Sequence, residues 1–273
     1  FTSVNINGHK DAKSIIIDDP KAVKFIHGAT YHSVNLSESI SKIINSNMRF
    51  AFVGLPCHIL ALQELKQRRP EINKLNVITI GLFCGGYVKY SGYEYYFSKF
   101  LKKDEIKNIT NTKYTENNYP GDIKLSFKND TVKFLPRLSN NSRWNIVRYM
   151  ITESFFKHLR CKLCPDQVND FADIAVGDPH FSKYILNEGT SFIIARSDIG
   201  NKTIRSMSDE KRIFSEKITE QDVINSQYYL ENRRYVGITL RVAKLLGIDV
   251  FDIKNYDTYS KLNKLNLYPY AFI

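Results

Sequence analysis

Four cysteines are the residues of this chain with the most distinctive chemistry: Cys57, Cys84, Cys161 and Cys164. Cys57 stands in Gly-Leu-Pro-Cys-His at residues 54–58, where a strand-like stretch ends and apolar residues at helical spacing begin. Cys57 is therefore predicted at a helix N-terminus, where open N–H groups and the helix dipole favour a thiolate. Since thiolates ligate metals and take part in redox chemistry, we expect the four cysteines to converge on one metal centre.

The spacing of the cysteines allows more than one kind of centre. Cys161 and Cys164 are two residues apart and precede Pro165, as in metal knuckles and redox pairs. They follow a helix predicted over residues 150–159, whereas a thioredoxin-type pair would open a helix. A structural zinc site commonly uses two knuckles, and a 4Fe–4S cluster takes four thiolates. By spacing alone, an iron–sulfur cluster, a zinc site and unrelated thiols all remain open.

The elements around Cys57 and Cys84 predict a βαβ unit. Strands are expected at residues 49–54 and 75–83, with a helix at 59–66 between them, and this connection favours a parallel pair. Both cysteines follow a strand, and ligands of open α/β sheets lie at the carboxyl ends of strands. We therefore expect the two cysteines to be neighbours, although Cys84 as a small core residue is the alternative.

The predicted fold class is α/β, a parallel βαβ core followed by a mixed antiparallel and helical half. The other predicted elements are strands at 14–18, 24–27, 174–176 and 192–196, helices at 36–46, 91–101 and 201–207, and a hairpin of 123–127 with 131–135. The predicted division is an N-terminal α/β subdomain (1–105), a C-terminal subdomain with the Cys-x-x-Cys knuckle (106–215) and a helical C-terminal extension (216–273).

Composition argues against several classes of protein. The formal net charge is +11, from 39 Lys+Arg against 28 Asp+Glu, but the basic clusters are short, which favours a solvated surface over a nucleic-acid interface. No apolar run approaches the roughly 18 residues of a membrane span. Four cysteines without a signal peptide suit metal or redox use in the cytoplasm. The start at Phe1, without Met, leads us to expect a piece of a longer chain.

Five segments of the chain occur together in an order typical of one known family. They are Ala29-Thr-Tyr-His-Ser-Val, Val53-Gly-Leu-Pro-Cys-His-Ile-Leu-Ala-Leu, Ile80-Gly-Leu-Phe-Cys-Gly-Gly, Cys161-Lys-Leu-Cys-Pro-Asp with Ala172-Asp-Ile-Ala-Val-Gly-Asp, and Gly189-Thr-Ser-Phe-Ile-Ile-Ala-Arg. In this combination the chain resembles the beta subunit of coenzyme F420 hydrogenase/dehydrogenase, a family related to the F420H2 dehydrogenase input subunit and to 7-hydroxymethyl chlorophyll a reductase.

The resemblance implies an oxidoreductase that contains FAD and a 4Fe–4S cluster. The flavin would exchange a hydride with a small-molecule redox substrate, coenzyme F420 or another, and single electrons with the cluster. It also implies that the four cysteines are the cluster ligands and that Tyr31 and Ser33 lie near the flavin. His58 is a candidate to hydrogen-bond the flavin or the cluster, and a structural histidine is the alternative. Asp173 and Asp178 are expected to be structural supports.

Two departures from the family pattern leave the partner and the substrate open. Many relatives carry a cysteine-rich, ferredoxin-like segment before this domain, so the implied partner is such a domain or a separate redox subunit. Pro179-His-Phe follows Gly-Asp, where relatives often have small residues or Trp, and this loop could line the substrate side. The alternative function is a zinc-stabilised, non-catalytic binding or assembly module of the same fold, associated with polysaccharide synthesis.

Overall fold

The computed structural model describes residues 2–7, 10–25, 28–46, 49–69, 72, 77–117, 121–136, 155–162, 164, 166–180, 183–184, 189–227, 242, 245–247 and 268–272. The chain divides into two units, each made of two chain segments. The first unit comprises Phe1–Ala51 and Gly86–Lys162, and the second comprises Phe52–Gly85 and Leu163–Ile273.

Strands and helices alternate through the described part of the chain. The strands are β1 (Thr2–Asn7), β2 (Asp11–Ile16), β3 (Phe50–Gly54), β4 (Val77–Leu82), β5 (Ile109–Glu116), β6 (Asp122–Phe127), β7 (Val132–Pro136), β8 (Ile174–Gly177), β9 (Ser191–Ala195), β10 (Ser215–Lys217) and β11 (Tyr268–Phe272). The α-helices are α1 (Ser37–Ile44), α2 (Pro56–Arg68), α3 (Tyr90–Phe97), α4 (Lys103–Lys107), α5 (Leu159–Lys162), α6 (Asp198–Asp209) and α7 (Glu220–Ser226), and Pro20–Phe25 is a 3-10 helix.

The first unit contains two antiparallel sheets, β1-β2 and β5-β6-β7. Alternate residues of β6 (Ile123, Leu125 and Phe127) are buried and join an aromatic core with side chains of α3. This period of two confirms the predicted hairpin of β6 and β7. Its turn includes Asp130 at φ 59°, a backbone region that Asp tolerates better than most residues.

The second unit is built on a mixed six-stranded sheet in the order β10-β11-β9-β8-β4-β3. β4 and β8 are parallel, with Ile80 opposite Ile174, whereas β8–β9, β9–β11 and β10–β11 are antiparallel. β3 and β4, joined through α2, are neighbours in this sheet. The predicted α/β class is therefore confirmed. The fully buried Ala175, Phe192 and Ala195 lie in the hydrophobic clusters that pack on this sheet.

Some sequence-based element assignments were wrong. The strand predicted at 24–27 is wrong at residues 24–25, because these residues end a 3-10 helix. That helix begins at Pro20, whose fixed φ suits a first helical position. Residues 26–27 lie outside the described residues. Residues 155–158 are not helical, contrary to the helix predicted over 150–159, whose first five residues are not described. The extension predicted to be helical contains β11 and most of β10. The domain limits at 105 and 215 remain predictions.

Within the described ranges, no helix has both the length and the apolarity that crossing a membrane requires.

Candidate functional site

Cys57 is exposed in the first turn of α2, directly after the end of β3. Leu55 is extended and Pro56 opens the helix, so the chain reverses from strand to helix within two residues. Gly54 is closely packed at this turn, since a Cβ there would lie 2.9 Å from the Phe52 ring. The predicted strand, turn and helix around Cys57 are therefore confirmed.

His58 closes the same turn. Its Nδ1 accepts a hydrogen bond from the backbone N–H of Leu55 at 3.3 Å. Burial lowers the pKa of His58 to about 4, so the ring is neutral at pH 7. A neutral imidazole that accepts through Nδ1 carries its proton on Nε2. His58 therefore has a structural role and keeps one N–H donor, and its contact with a flavin or cluster stays a prediction.

Cys84 and Cys164 lie on segments that are hydrogen-bonded to each other. The backbone N–H of Cys84 donates to the carbonyl of Gln167 at 2.8 Å. Cys164 Sγ lies 3.5 Å from the carbonyl oxygen of Asp166, within hydrogen-bond reach of a thiol. The buried Gln167 also donates through Nε2 to Gln227 Oε1 at 3.1 Å. These bonds attach the loop after the Cys-x-x-Cys pair to the end of β4.

The buried side chain of Asn169 connects the ends of two strands. Its Nδ2 donates to the carbonyl of Gly54 at 3.0 Å and to the carbonyl of Leu82 at 3.2 Å. Its own N–H donates to Asp166 Oδ1 at 2.7 Å. Asn169 is not among the site residues predicted from the sequence. An Asp followed three residues later by Asn, as at 166–169, is a local signal for a side-chain-capped turn.

An ion pair holds the same loop against β9. Arg196 Nη2 donates to the carbonyl of Val168 and to Asp170 Oδ1, each at 3.1 Å. Burial, and then the charge of Asp170, raises the pKa of Asp166, while the Arg196 guanidinium opposes this rise. Burial also raises the pKa of Asp170, again opposed by Arg196. The loop thus contains the buried Asp166 and the partly exposed Asp170, and the buried Arg196 guanidinium offsets the cost of placing their charges there.

Asp173 is a structural support of the second unit. Its Oδ2 accepts bonds from the Thr79 N–H at 2.8 Å and from the Thr79 hydroxyl at 2.7 Å. Its Oδ1 accepts a bond from the Ser197 hydroxyl at 2.6 Å, and Ser197 caps α6 by accepting from the Gly200 N–H. Asp173 thereby joins β4, the start of β8 and the start of α6.

Cys161 lies in α5 of the first unit, with its N–H donating to the carbonyl of His158 at 2.9 Å. Gly86 stands beside it at φ 109°, a conformation that favours glycine. A Cβ at Gly86 would lie 2.7 Å from Lys157 Cε and 3.1 Å from Cys161 Cβ. The second glycine after Cys84 thus makes room for the segment that carries Cys161.

The early loop predicted to lie near a flavin belongs to the first unit. Tyr31 packs edge-on against Tyr114, with ring centroids 5.7 Å apart, and its carbonyl accepts a bond from the Val88 N–H. Ser33 is exposed, and its carbonyl lies 3.2 Å from His32 Nδ1. His58 belongs to the second unit, so the predicted flavin contacts stay a prediction.

The donor chemistry of the four cysteines fits a metal centre. None of them forms a disulfide, and four thiolates suit a 4Fe–4S cluster or zinc. Cys57, Cys84 and Cys164 belong to the second unit and Cys161 to the first. Among the described residues, no group of three or more His, Cys, Asp or Glu side chains is close enough to hold a metal ion. The convergence of the four sulfurs therefore stays a prediction.

Comparison with models of known protein families identifies one family. The family model for the C terminus of the coenzyme F420 hydrogenase/dehydrogenase beta subunit matches residues 47–221, more than half of the chain. Among solved structures, the chain is similar to one from the F420-reducing NiFe hydrogenase complex of Methanosarcina barkeri, with 16% sequence identity and a TM-score of 0.49. That similarity covers 77% of this chain and 67% of the other.

Proposed function

Since the chain belongs to the family defined by the C terminus of the coenzyme F420 hydrogenase/dehydrogenase beta subunit, we propose that it is a flavin- and iron–sulfur-dependent oxidoreductase. Family membership indicates a redox function of the F420 hydrogenase/dehydrogenase type. The proposed substrate is a small hydride carrier, coenzyme F420 or another. The observation that carries the proposal is that all four cysteines lie within the matched residues 47–221, and none forms a disulfide.

The cysteines would hold the cluster as thiolate ligands. When bound, FAD together with a 4Fe–4S cluster supplies the conversion between hydride and single-electron transfer. Cys57 stands in the first turn of α2, where backbone N–H groups favour negative charge on a ligand. His58, whose Nδ1 accepts from the Leu55 N–H, would donate one hydrogen bond through Nε2 beside this ligand. Tyr31 and Ser33 are the proposed flavin contacts in the first unit.

The proposal includes a redox partner, because a beta subunit that receives electrons must pass them on. A ferredoxin-like domain of the same protein or a partner redox subunit would take this role. We propose no nucleic-acid partner, since the charge of the chain forms only short basic clusters. Four thiols without a disulfide suit a reducing compartment such as the cytoplasm.

The test is anaerobic reconstitution with FAD, ferrous iron and sulfide, followed by a visible spectrum and assays of iron and acid-labile sulfide. We expect flavin bands over a broad iron–sulfur absorption and about 4 Fe per chain, as four thiolates imply. Single Cys→Ser changes at each of the four positions should lower the iron content. Ser206→Ala, at an exposed position of α6, is the control for purification and reconstitution and should keep the wild-type iron content.

Two results would contradict the proposal. A protein that takes up neither flavin nor iron would remove the proposed chemistry. Stoichiometric zinc in a colourless protein would support the alternative, a zinc-stabilised binding or assembly module of the same fold, associated with polysaccharide synthesis.

A further inference from the structure

We propose that Asn169 is a positioning residue that holds in register the three backbone segments bearing Cys57, Cys84 and Cys164. The part of this inference that concerns a metal centre rests on the proposed function. The part that concerns the backbone rests on the contacts of Asn169 alone.

The Asn169 side chain reaches two of the segments through their backbone. Its Nδ2 donates to the carbonyls of Gly54 and Leu82, the last residues of β3 and β4, at 3.0 and 3.2 Å. Cys57 follows Gly54 by three residues, and Cys84 follows Leu82 by two. One amide group with two N–H donors thus joins the two strand ends from which these cysteines depart.

The backbone of Asn169 reaches the third segment. Its N–H donates at 2.7 Å to Oδ1 of Asp166, a residue that follows Cys164 by two positions. The N–H of Cys84 donates to Gln167 within the same loop. Asn169 has φ 58°, and Asn adopts this left-handed region more readily than most residues. The backbone conformation and the side chain of Asn169 therefore both help to join the loop after Cys164 to the ends of β3 and β4.

The sheet is shaped to accept this side chain. Asn169 is fully buried, and a Cβ at Gly81 of β4 would lie 2.2 Å from Asn169 Cγ and 2.4 Å from its Nδ2. Because Cβ atoms do not approach other atoms so closely, only glycine at position 81 leaves room for the amide. A change at Gly81 should therefore displace the Asn169 side chain without removing it.

A second buried polar connection in the same sheet gives a matched control. Thr79 of β4, fully buried, bonds through its hydroxyl to Asp173 at 2.7 Å and also connects β4 to the chain before β8. Its partners do not belong to the segments that carry cysteines. Thr79→Val should therefore weaken the sheet without disturbing the cysteine segments, whereas Asn169→Ala should disturb both.

The experiment compares reconstituted wild type, Asn169→Ala, Asn169→Asp and Thr79→Val. The measurements are iron release to a chelator, the EPR spectrum of the dithionite-reduced cluster and the urea midpoint. Losing a residue that orients metal ligands typically lowers metal affinity by about 10–100-fold, so we expect about tenfold faster iron release from Asn169→Ala, with a changed EPR spectrum. Asn169→Asp should behave likewise, because a carboxylate cannot donate to the two carbonyls.

Thr79→Val should shift the urea midpoint but keep the iron-release rate and the EPR spectrum of the wild type. The inference is overturned if Asn169→Ala and Asn169→Asp also keep the wild-type iron-release rate and EPR spectrum. It is equally overturned if Thr79→Val changes the iron-release rate and the EPR spectrum as much as the two Asn169 variants do. If Asn169→Ala does not fold, Asn169→Asp and Gly81→Ala carry the test, since both retain a side chain of nearly the same volume at position 169.

A wild type that takes up no iron would contradict the proposed function but would not test the role of Asn169. In that case the role is tested on the metal-free protein, by measuring the rate at which iodoacetamide alkylates each cysteine with mass spectrometry. Faster alkylation of Cys84 and Cys164 in Asn169→Ala than in Thr79→Val supports the positioning role. Equal rates in the two variants overturn it.

Discussion

The contact between Thr79 and Asp173 should be one of the strongest polar couplings in the second unit. Removing the Asp173 side chain by Asp173→Ala eliminates three hydrogen bonds to a carboxylate, two from Thr79 and one from the Ser197 hydroxyl. Each such bond contributes about 1.5–3 kcal/mol net, but the three share one side chain. We therefore expect a loss of about 4 kcal/mol in the free energy of unfolding.

Thr79→Val removes a smaller set of bonds. The hydroxyl donates to Asp173 Oδ2 at 2.7 Å and accepts from the Asp173 N–H at 2.9 Å. We expect a loss of about 2–3 kcal/mol, from one bond to a charged group and one partly buried N–H left unsatisfied. In the double variant the hydroxyl–carboxylate bond is lost only once, so the two effects should overlap by about 1.5–3 kcal/mol.

The assay is urea unfolding of the metal-free protein, as wild type, both single variants and the double variant. The midpoint should move while the slope stays constant, since the surface exposed on unfolding is unchanged. Ser197→Ala is a useful reference, because it removes the hydroxyl bond to Asp173 together with the cap of α6 and should cost about 2–3 kcal/mol. If the effects of Asp173→Ala and Thr79→Val on the free energy of unfolding add within about 0.5 kcal/mol in the double variant, the coupling is refuted.

Four further substitutions test packing and charge by urea unfolding, three of them in the second unit and one, Phe134→Ala, in the first. Gly177→Ala places a Cβ 2.1 Å from the Phe83 ring and should cost about 1–3 kcal/mol by overpacking; a wild-type midpoint would contradict the tight contact. Phe192→Ala, at a fully buried position, should cost about 3–5 kcal/mol, whereas Phe134→Ala, at a half-exposed one, should cost less than about 1 kcal/mol; equal losses would be inconsistent with the described core. Arg196→Met should lower the free energy of unfolding by about 2 kcal/mol. This is less than the cost of breaking a fully buried pair, because the Asp170 carboxylate is 38% exposed. No loss would show that the ion pair makes no net contribution to stability.

The parts of the fold that the sequence predicted are those with a local signal. The stretch around Gly54 combines a buried strand, a glycine and a proline at the first helical position, and each of these acts within a few residues. The β6–β7 hairpin likewise alternates with period two around a short polar turn. The strand predicted at residues 24–27 was wrong at residues 24–25 because a short apolar segment suits a strand and a 3-10 helix equally well.

The long-range contacts that organise the candidate site have no local signal, unlike the turn between Asp166 and Asn169. Asn169 bonds to carbonyls 115 and 87 positions earlier in the chain, and backbone carbonyls are the same in every residue. The Thr79–Asp173 contact spans 94 positions. A single sequence shows that such polar residues are present, but the tertiary fold decides which backbone groups they meet.

The interleaved arrangement of the two units affects how the protein is made. The chain leaves the first unit after Ala51, returns at Gly86 and leaves it again after Lys162. During synthesis, residues 1–51 therefore cannot complete the contacts of the first unit until residues 86–162 emerge from the ribosome. By then the start of the second unit has already emerged. Closing such long loops before their contacts form slows folding. Neither unit can be isolated by a single truncation, so a fragment limited to residues 47–221 would contain only part of the first unit.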